Sequence, residues 1–289
     1  MKIAFWGIAR GSSGVTSNLA CISIALAMEY SSYKSILIEN HYQKNKLSNI
    51  LMYQRSHYIE REENYQFRHI GLDYIINQFT AGKYAKSKKN QSPGIGPDPL
   101  ELIKEASLKI IDNSLYYIPV SYHINQETFD YNLYGNIKDI LDATEEFADI
   151  TYIDTSNQNN LSSKIILEEV DLVVVNLMQN SSMIQYFFDN YSSILDKSVF
   201  LISNYNKNSS LNLDKISKTH SIIKPNIAVI PYNIEYQEAV SQGTVVEFLA
   251  RNYDCKRKSP NYAFIRDVKK AASMIMKHTV NINPKEECS

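Results

Sequence analysis

The sequence predicts an α/β fold, doubly wound around a mostly parallel sheet flanked by helices. Three observations predict it. Short, near-continuous apolar runs, such as 171–176 (DLVVVN) and 199–203 (VFLIS), alternate with longer helical patterns along the 289 residues. Such runs suit strands buried on both faces, the condition of a parallel sheet covered by helices. The alternation implies strand–helix–strand units with helices on both sides of one sheet. Of only nine glycines, Gly7, Gly11 and Gly14 lie within the first fourteen residues, between the first strand and the first helix.

The elements follow in order. Strands are expected at Ile3–Gly7, Ser35–Glu39, Leu115–Val120, Ile150–Asp154, Asp171–Asn176, Ser198–Ser203 and Asn226–Pro231, where the apolar runs are β-rich. A helix is expected over Thr16–Tyr30, which is free of Gly and Pro and apolar on most sides. Leu100–Ile111 reads as an amphipathic helix, with Asp98 as its N-cap. Asn136–Phe147 repeats the pattern. The last helix carries Phe264, Ile265, Val268, Ala272 and Ile275 as a stripe suited to packing on the sheet. Residues 55–99 break the rhythm. They are rich in Tyr, Arg, Lys, Gln and Asn and end in PGIGPDP, so they read as an elaborated surface insertion within a single domain spanning 1–289.

Bulk composition excludes several classes. The net charge of −1 argues against a general nucleic-acid or membrane coat. No apolar stretch reaches the ~20 residues of a transmembrane helix. The N-terminal residues make a poor secretory signal. Cys21, Cys255 and Cys288 are far apart and lack CxxC spacing, against a disulfide framework or a zinc site. The six histidines show no HxxxH or HExxH pattern. The cytoplasm is the expected location, with the inner membrane reached through a partner. The 21 tyrosines read as composition bias.

The segment IAFWG–IARGSSGV–TSNLACISIALAMEY is a strand, a glycine-bearing loop and a helix. Loop N–H groups and the helix N-terminus in this geometry point at an anion, and glycine lets the backbone approach it. The P-loop pattern asks for lysine before its Ser/Thr, and Val15 stands there, before Thr16. On this segment alone, a phosphate loop and a tight strand–helix turn remain equal readings.

The rest of the chain favours the first. Arg10-Gly11-Ser12-Ser13-Gly14-Val15-Thr16-Ser17 resembles the deviant Walker A loop, KGGxGKTT, of the ParA/MinD family of P-loop NTPases. Arg10 falls on that family's signature lysine, Val15 on its phosphate-binding lysine and Thr16 on its Mg²⁺-ligating threonine. After the second strand, the family reads roughly IDxDPQxNL. Here Glu39 matches the first aspartate, Gln43 the glutamine and Asn45 the asparagine, while His41 takes the place of the aspartate that positions the attacking water. The run 148–156 resembles the Walker B strand and puts Asp154 where an acid holds Mg²⁺ through water. Asn204 sits where the family often places an adenine-contacting asparagine. Residues 228–248, around Pro231-Tyr232-Asn233 and Gln242-Gly243, resemble the segment whose proline packs near the base.

This resemblance implies binding of ATP or ADP with Mg²⁺, using Arg10, Gly11, Ser12, Ser13, Gly14, Val15, Thr16, Ser17, Asn204 and Pro231, with Thr16 and Asp154 at the metal. It also implies a nucleotide-sandwich homodimer. The departures bear on catalysis. Val15 supplies no charge to the phosphates, His41 carries no fixed negative charge, and Glu39 displaces its carboxylate by one methylene. His41 and Glu39 are therefore the candidate catalytic positions of a degenerate site with slow hydrolysis or none.

The function expected is positioning or assembly of a cellular machine, in the manner of the TadZ/CpaE branch and its Flp/Tad-type pili, with a protein of that machine as partner. An active ParA-type ATPase in DNA partition and a nucleotide-free scaffold stay open as alternatives. A metabolic member lacks a second catalytic motif. Residues 251–280 hold Arg251, Lys256, Arg257, Lys258, Arg266, Lys269, Lys270 and Lys277 against Asp254 and Asp267. A solvated helix face is favoured there over a surface for DNA or anionic membrane. Tyr53, Tyr58, Tyr65 and Phe67 would serve a partner surface only if exposed.

Overall fold

The computed structural model describes residues 1–8, 13–40, 47–52, 69–87, 98–120, 126–155 and 160–282. Eight strands form one sheet: β1 (Lys2–Gly7), β2 (Ser35–Asn40), β3 (Leu108–Ile111), β4 (Leu115–Ile118), β5 (Ile150–Thr155), β6 (Leu172–Met178), β7 (Ser198–Tyr205) and β8 (Ile227–Pro231). Their order across the sheet is β3-β4-β2-β5-β1-β6-β7-β8. Every pairing is parallel except the β3–β4 hairpin. All seven expected strands form.

The chain winds from β1 past β5 to β2 on one side, and from β5 past β1 to β6 on the other. The carboxyl ends of β1 and β5 therefore lie at a topological switch point, where open α/β sheets bind their ligands.

Side-chain alternation sorts the core into two layers. Ile3 and Phe5 of β1, Leu37 of β2, Tyr152 of β5 and Val174 of β6 face α1 (Val15–Glu29), α10 (Val245–Asn252), α11 (Tyr262–Ile282) and the helical segment 47–52. Ala4, Trp6, Ile38, Ile153 and Val175 face the opposite layer. That layer holds α2 (Leu72–Ser87), α3 (Pro99–Ala106), α4 (Gln126–Tyr134), α5 (Ile137–Phe147), α6 (Leu161–Glu169), α7 (Ser181–Asn190) and α8 (Leu213–Thr219). The short α9 (Ile234–Gln242) sends Tyr236 and Ala239 into the first layer. Helix α1 is buried continuously from Asn18 to Ala27, as a run apolar all round requires. The stripe expected on the last helix is buried in the first layer.

Two expectations are corrected. The helix expected over Leu100–Ile111 stops at Ala106, and Leu108–Ile111 is the edge strand β3. Asp112-Asn113-Ser114 turns the chain, with Asn113 at φ 63, and the hairpin gives Leu108–Ile111 a sheet ladder in place of helical bonds. Asp98 does cap α3, accepting from the Leu100 N–H at 3.2 Å. Strand β4 ends at Ile118 because Pro119 has no N–H for the ladder.

The second correction concerns residues 55–99. Their middle is α2, which buries Leu72, Ile75 and Ile76 in the second layer and is therefore core rather than surface insertion. Tyr53, Tyr58, Tyr65 and Phe67 lie outside the described residues.

Candidate nucleotide site at the switch point

On the α1 side of the sheet, the last inward side chains of four strands are polar. They are Glu39 on β2, Asp154 on β5, Asn176 on β6 and Ser203 on β7, and all are buried. The parallel register aligns Glu39 with Asp154, and Asp154 with Phe5 of β1. The row lies at the switch point, next to the loop between β1 and α1.

That loop begins at Gly7, the last residue of β1, where a Cβ would stand 2.7 Å from Ser13 Oγ, 3.0 Å from the Asn176 carbonyl oxygen and 3.0 Å from Val15 Cγ2. Only glycine leaves room for the returning chain. Gly14 caps α1 in the left-handed conformation, φ 67 and ψ 23. Its carbonyl accepts from Asn18 N–H at 2.8 Å and from Ser17 Oγ at 3.1 Å. Thr16 and Ser17 are half-buried in the first turn. Val15 packs against the first core layer, so an apolar contact occupies the position of the family's lysine. Arg10, Gly11 and Ser12 lie outside the described residues, as do His41, Gln43 and Asn45.

Four buried polar residues tie this loop to the sheet. Asn18 Nδ2 donates to Asn176 Oδ1 and to Ser203 Oγ, both at 2.8 Å. Ser203 Oγ donates to the Ser13 carbonyl at 2.6 Å. Asn176 Nδ2 donates to the carbonyls of Trp6 (3.3 Å) and Val174 (3.1 Å). From α9, the Tyr236 hydroxyl donates to the Ser17 carbonyl.

The acids are held differently. Glu39 Oε2 accepts from the Tyr117 hydroxyl of β4 at 2.9 Å, and Oε1 accepts from Leu47 N–H at 3.3 Å, at the start of helical segment 47–52. Burial raises the Tyr117 hydroxyl well above its ordinary range, and the charge of Glu39, its hydrogen bond and the charge of Asp154 raise it further. Tyr117 therefore stays a proton donor to Glu39. Among the described residues, the candidate ligand atoms at this edge are oxygens: the Thr16 hydroxyl, Asp154 and Glu39. That is the chemistry of a hard divalent cation rather than of zinc.

On the other flank, Asn204 follows Ser203 and is exposed, with φ 50. Asparagine is among the few non-glycine residues that tolerate this conformation. Pro231 ends β8 in register with Tyr205, and Tyr232 N–H donates to the Tyr205 carbonyl at 3.4 Å. Ser203 is common to both flanks, because its Cβ stands 3.6 Å from where a Gly14 side chain would begin. The fold thus brings Ser13, Gly14, Asp154 and Asn204 to one end of the sheet.

Sequence reasoning missed Tyr117, Asn176 and Ser203. The signal was present for two of them. Asn176 closes the run DLVVVN and Ser203 the run VFLIS, each at an inward position where an apolar residue is the rule.

The basic stretch 251–280 is partly neutralised. Arg266 and Lys270 pair with Asp267, and Lys269 pairs with Asp254 and stands 3.8 Å from the Tyr253 ring centroid. Lys256, Arg257, Lys258 and Lys277 are exposed. Among the described residues, no helix is long and apolar enough to cross a membrane.

No family model matches the sequence. No curated protein matches it either. Solved structures do. The septum site-determining protein MinD of Pyrococcus horikoshii OT3, complexed with Mg-ADP, superposes with a TM-score of 0.64 at 14% identity, over 99% of either chain. A ParA family ATPase from Chlorobium tepidum TLS gives 0.63 at 14% identity, over 94% of this chain and 98% of that one. A Borrelia burgdorferi B31 structure, described as a plasmid partition protein and bound to AMPPNP, gives 0.61 at 15% identity, over 96% and 98%. The chain has the doubly wound P-loop NTPase fold seen in ParA and MinD ATPases.

Proposed function

We propose that the chain, as a single nucleotide-binding unit, belongs to the ParA/MinD family and binds ATP or ADP with Mg²⁺, with slow hydrolysis or none. The observation that carries this reading is the left-handed Gly14 cap on α1, packed toward Ser17, Asn18 and Ser203, at the end of the sheet where Asp154 is buried. Backbone N–H groups at such a helix start grip phosphate without a side-chain charge. Thr16 and Asp154 would hold Mg²⁺, Asp154 through water. When bound, the ion neutralises phosphate charge. Asn204 and Pro231 flank the end where a base would lie.

Val15 is the reason to separate binding from turnover. Phosphoryl transfer rests on positioning and positive charge, and an apolar residue packed on the core adds neither. We therefore assign a role in positioning or assembling a cellular machine, such as an Flp/Tad-type pilus, as a homodimer in the cytoplasm that reaches the membrane through a protein partner. The retained acid Asp154, buried at the end of β5, favours one rival, an active partition ATPase.

Calorimetric titration with ATP and Mg²⁺, followed by an ATPase assay with and without DNA, tests both. Binding with little turnover is expected. DNA-stimulated turnover that disappears in Asp154→Ala would establish the rival. No binding at millimolar ATP would leave a nucleotide-free scaffold.

A further inference from the structure

The hydrogens of the relay beneath the loop can be assigned without ambiguity. The carbonyls of Trp6, Val174 and Ser13 only accept. Asn176 must therefore turn its NH₂ toward Trp6 and Val174, leaving Oδ1 to accept from Asn18. Ser203 has one hydroxyl hydrogen, and the Ser13 carbonyl takes it, so Ser203 Oγ must accept from the second hydrogen of the Asn18 amide. Every donor in the relay has an acceptor, and Asn18, Asn176, Ser203 and Ser13 are each at most 3% exposed. A fully satisfied buried network of this kind specifies one arrangement.

The relay ends on the peptide bond between Ser13 and Gly14. That bond is trans, because the chain contains no cis peptide among the described residues. In a planar trans peptide, C=O and N–H point in opposite directions. Drawing the Ser13 carbonyl inward to Ser203 therefore turns the Gly14 N–H away from the sheet.

We propose that Ser203 is a positioning residue for phosphate recognition. Through the Ser13 carbonyl it aims the Gly14 N–H at the bound polyphosphate, and its neighbour Asn204 stands on the base side of the same site. The assignment rests on the nucleotide-binding reading and gives it a mechanism for a loop whose lysine position is Val15. With valine at the lysine position, the loop depends more on N–H groups already held in place, and the relay holds this one.

The test compares ATP with inorganic triphosphate, both with Mg²⁺, by calorimetry on the full chain. Ser203→Ala is expected to weaken both ligands about tenfold, the effect of one lost hydrogen bond. Ser203→Thr, which keeps the hydroxyl, is expected to restore both. Asn204→Ala is expected to weaken ATP and leave triphosphate unchanged. Should Ser203→Ala fail to fold, Ser203→Cys, with a weak donor, carries the same expectation. Wild-type affinity for triphosphate in Ser203→Ala, or in Ser203→Cys where Ala does not fold, while the native chain binds it, would overturn the assignment alone. A native chain that binds neither ligand would overturn the nucleotide reading and this assignment with it.

Discussion

Tyr117 on β4 donates its hydroxyl to Glu39 on β2 over 2.9 Å, and both residues are wholly buried. Glu39 is aligned with Asp154 on the next strand, so the tyrosine draws one of two neighbouring acids toward itself. Glutamate, one methylene longer than aspartate, is anchored here by a partner from a strand it already pairs with. Tyr117→Phe removes that donor from a buried carboxylate. The expected cost is about 1–3 kcal/mol of stability, read as a lower urea midpoint at unchanged slope. In a double-mutant cycle, Glu39→Gln should cost less in the Tyr117→Phe background than in the native chain. Equal costs in both backgrounds would show that the two groups are not coupled.

Stability should also depend on pH at the alkaline end. Burial pushes the Cys21 thiol from its ordinary 9.0 up to about 12. Burial, then the neighbouring Cys21, raises the Tyr236 hydroxyl well above 10.0, and Tyr117 is raised likewise. The folded chain therefore keeps protons that the unfolded chain releases. The stability held by these groups is complete below pH 9. It falls once the unfolded thiol ionises near 9 and the unfolded phenols near 10, and it keeps falling through 12. Urea midpoints at pH 8, 9, 10 and 11 should be level and then decline. Cys21→Ala should delay the start of the decline toward pH 10.

These groups show where a sequence is legible and where it is not. Strands such as Leu172–Met178 are buried on both faces, so they are written as continuous apolar runs, and the fold class follows from them. Strand β3 escapes because Leu108, Ile110 and Ile111 fit a helical period as well as a strand. Only the turn at Asn113 separates the two readings. In the site, Asp154 and Glu39 stand out as acids closing apolar runs. Asn18, Asn176 and Ser203 meet across separations of 158 and 185 residues, and only strand order brings them together. Tyr117 is hidden for the same reason, among many other tyrosines.

Val15→Lys tests whether the missing lysine is the weak point of the site. The valine side chain is half-buried against the first core layer, and a lysine stem can cover the same surface with its ammonium carried outward. A charge-assisted hydrogen bond to phosphate contributes about 1.5–3 kcal/mol. ATP affinity should therefore rise about ten- to a hundredfold. The gain should shrink as salt is raised, because added ions screen the new charge. Calorimetry at two salt concentrations reads both effects, and an unchanged affinity would mean that position 15 does not face the phosphates.

Asp130 on α4 offers a stability test away from the nucleotide loop. One of its oxygens accepts from Leu161 N–H at 3.2 Å, and the other accepts from Ser162 N–H at 3.1 Å and from the Ser162 hydroxyl. Asn160 takes the Ser163 N–H at 3.0 Å, so the first three N–H groups of α6 all have acceptors. A carboxylate at a helix N-terminus also complements the helix dipole. Asn40, the last residue of β2, bonds to Ser162 and Ser163, which fastens that same turn to the sheet. Asp130→Ala leaves two of the three N–H groups without a side-chain acceptor. It should cost about 1–2 kcal/mol, the range for a lost cap. Asp130→Asn keeps an oxygen acceptor and loses the charge, so it should cost less, and its deficit should shrink in high salt. Hydrogen exchange at Leu161 and Ser162 should speed up in both variants, more in Ala than in Asn. Unchanged exchange at those two amides in Asp130→Ala would show that water replaces the carboxylate at no cost.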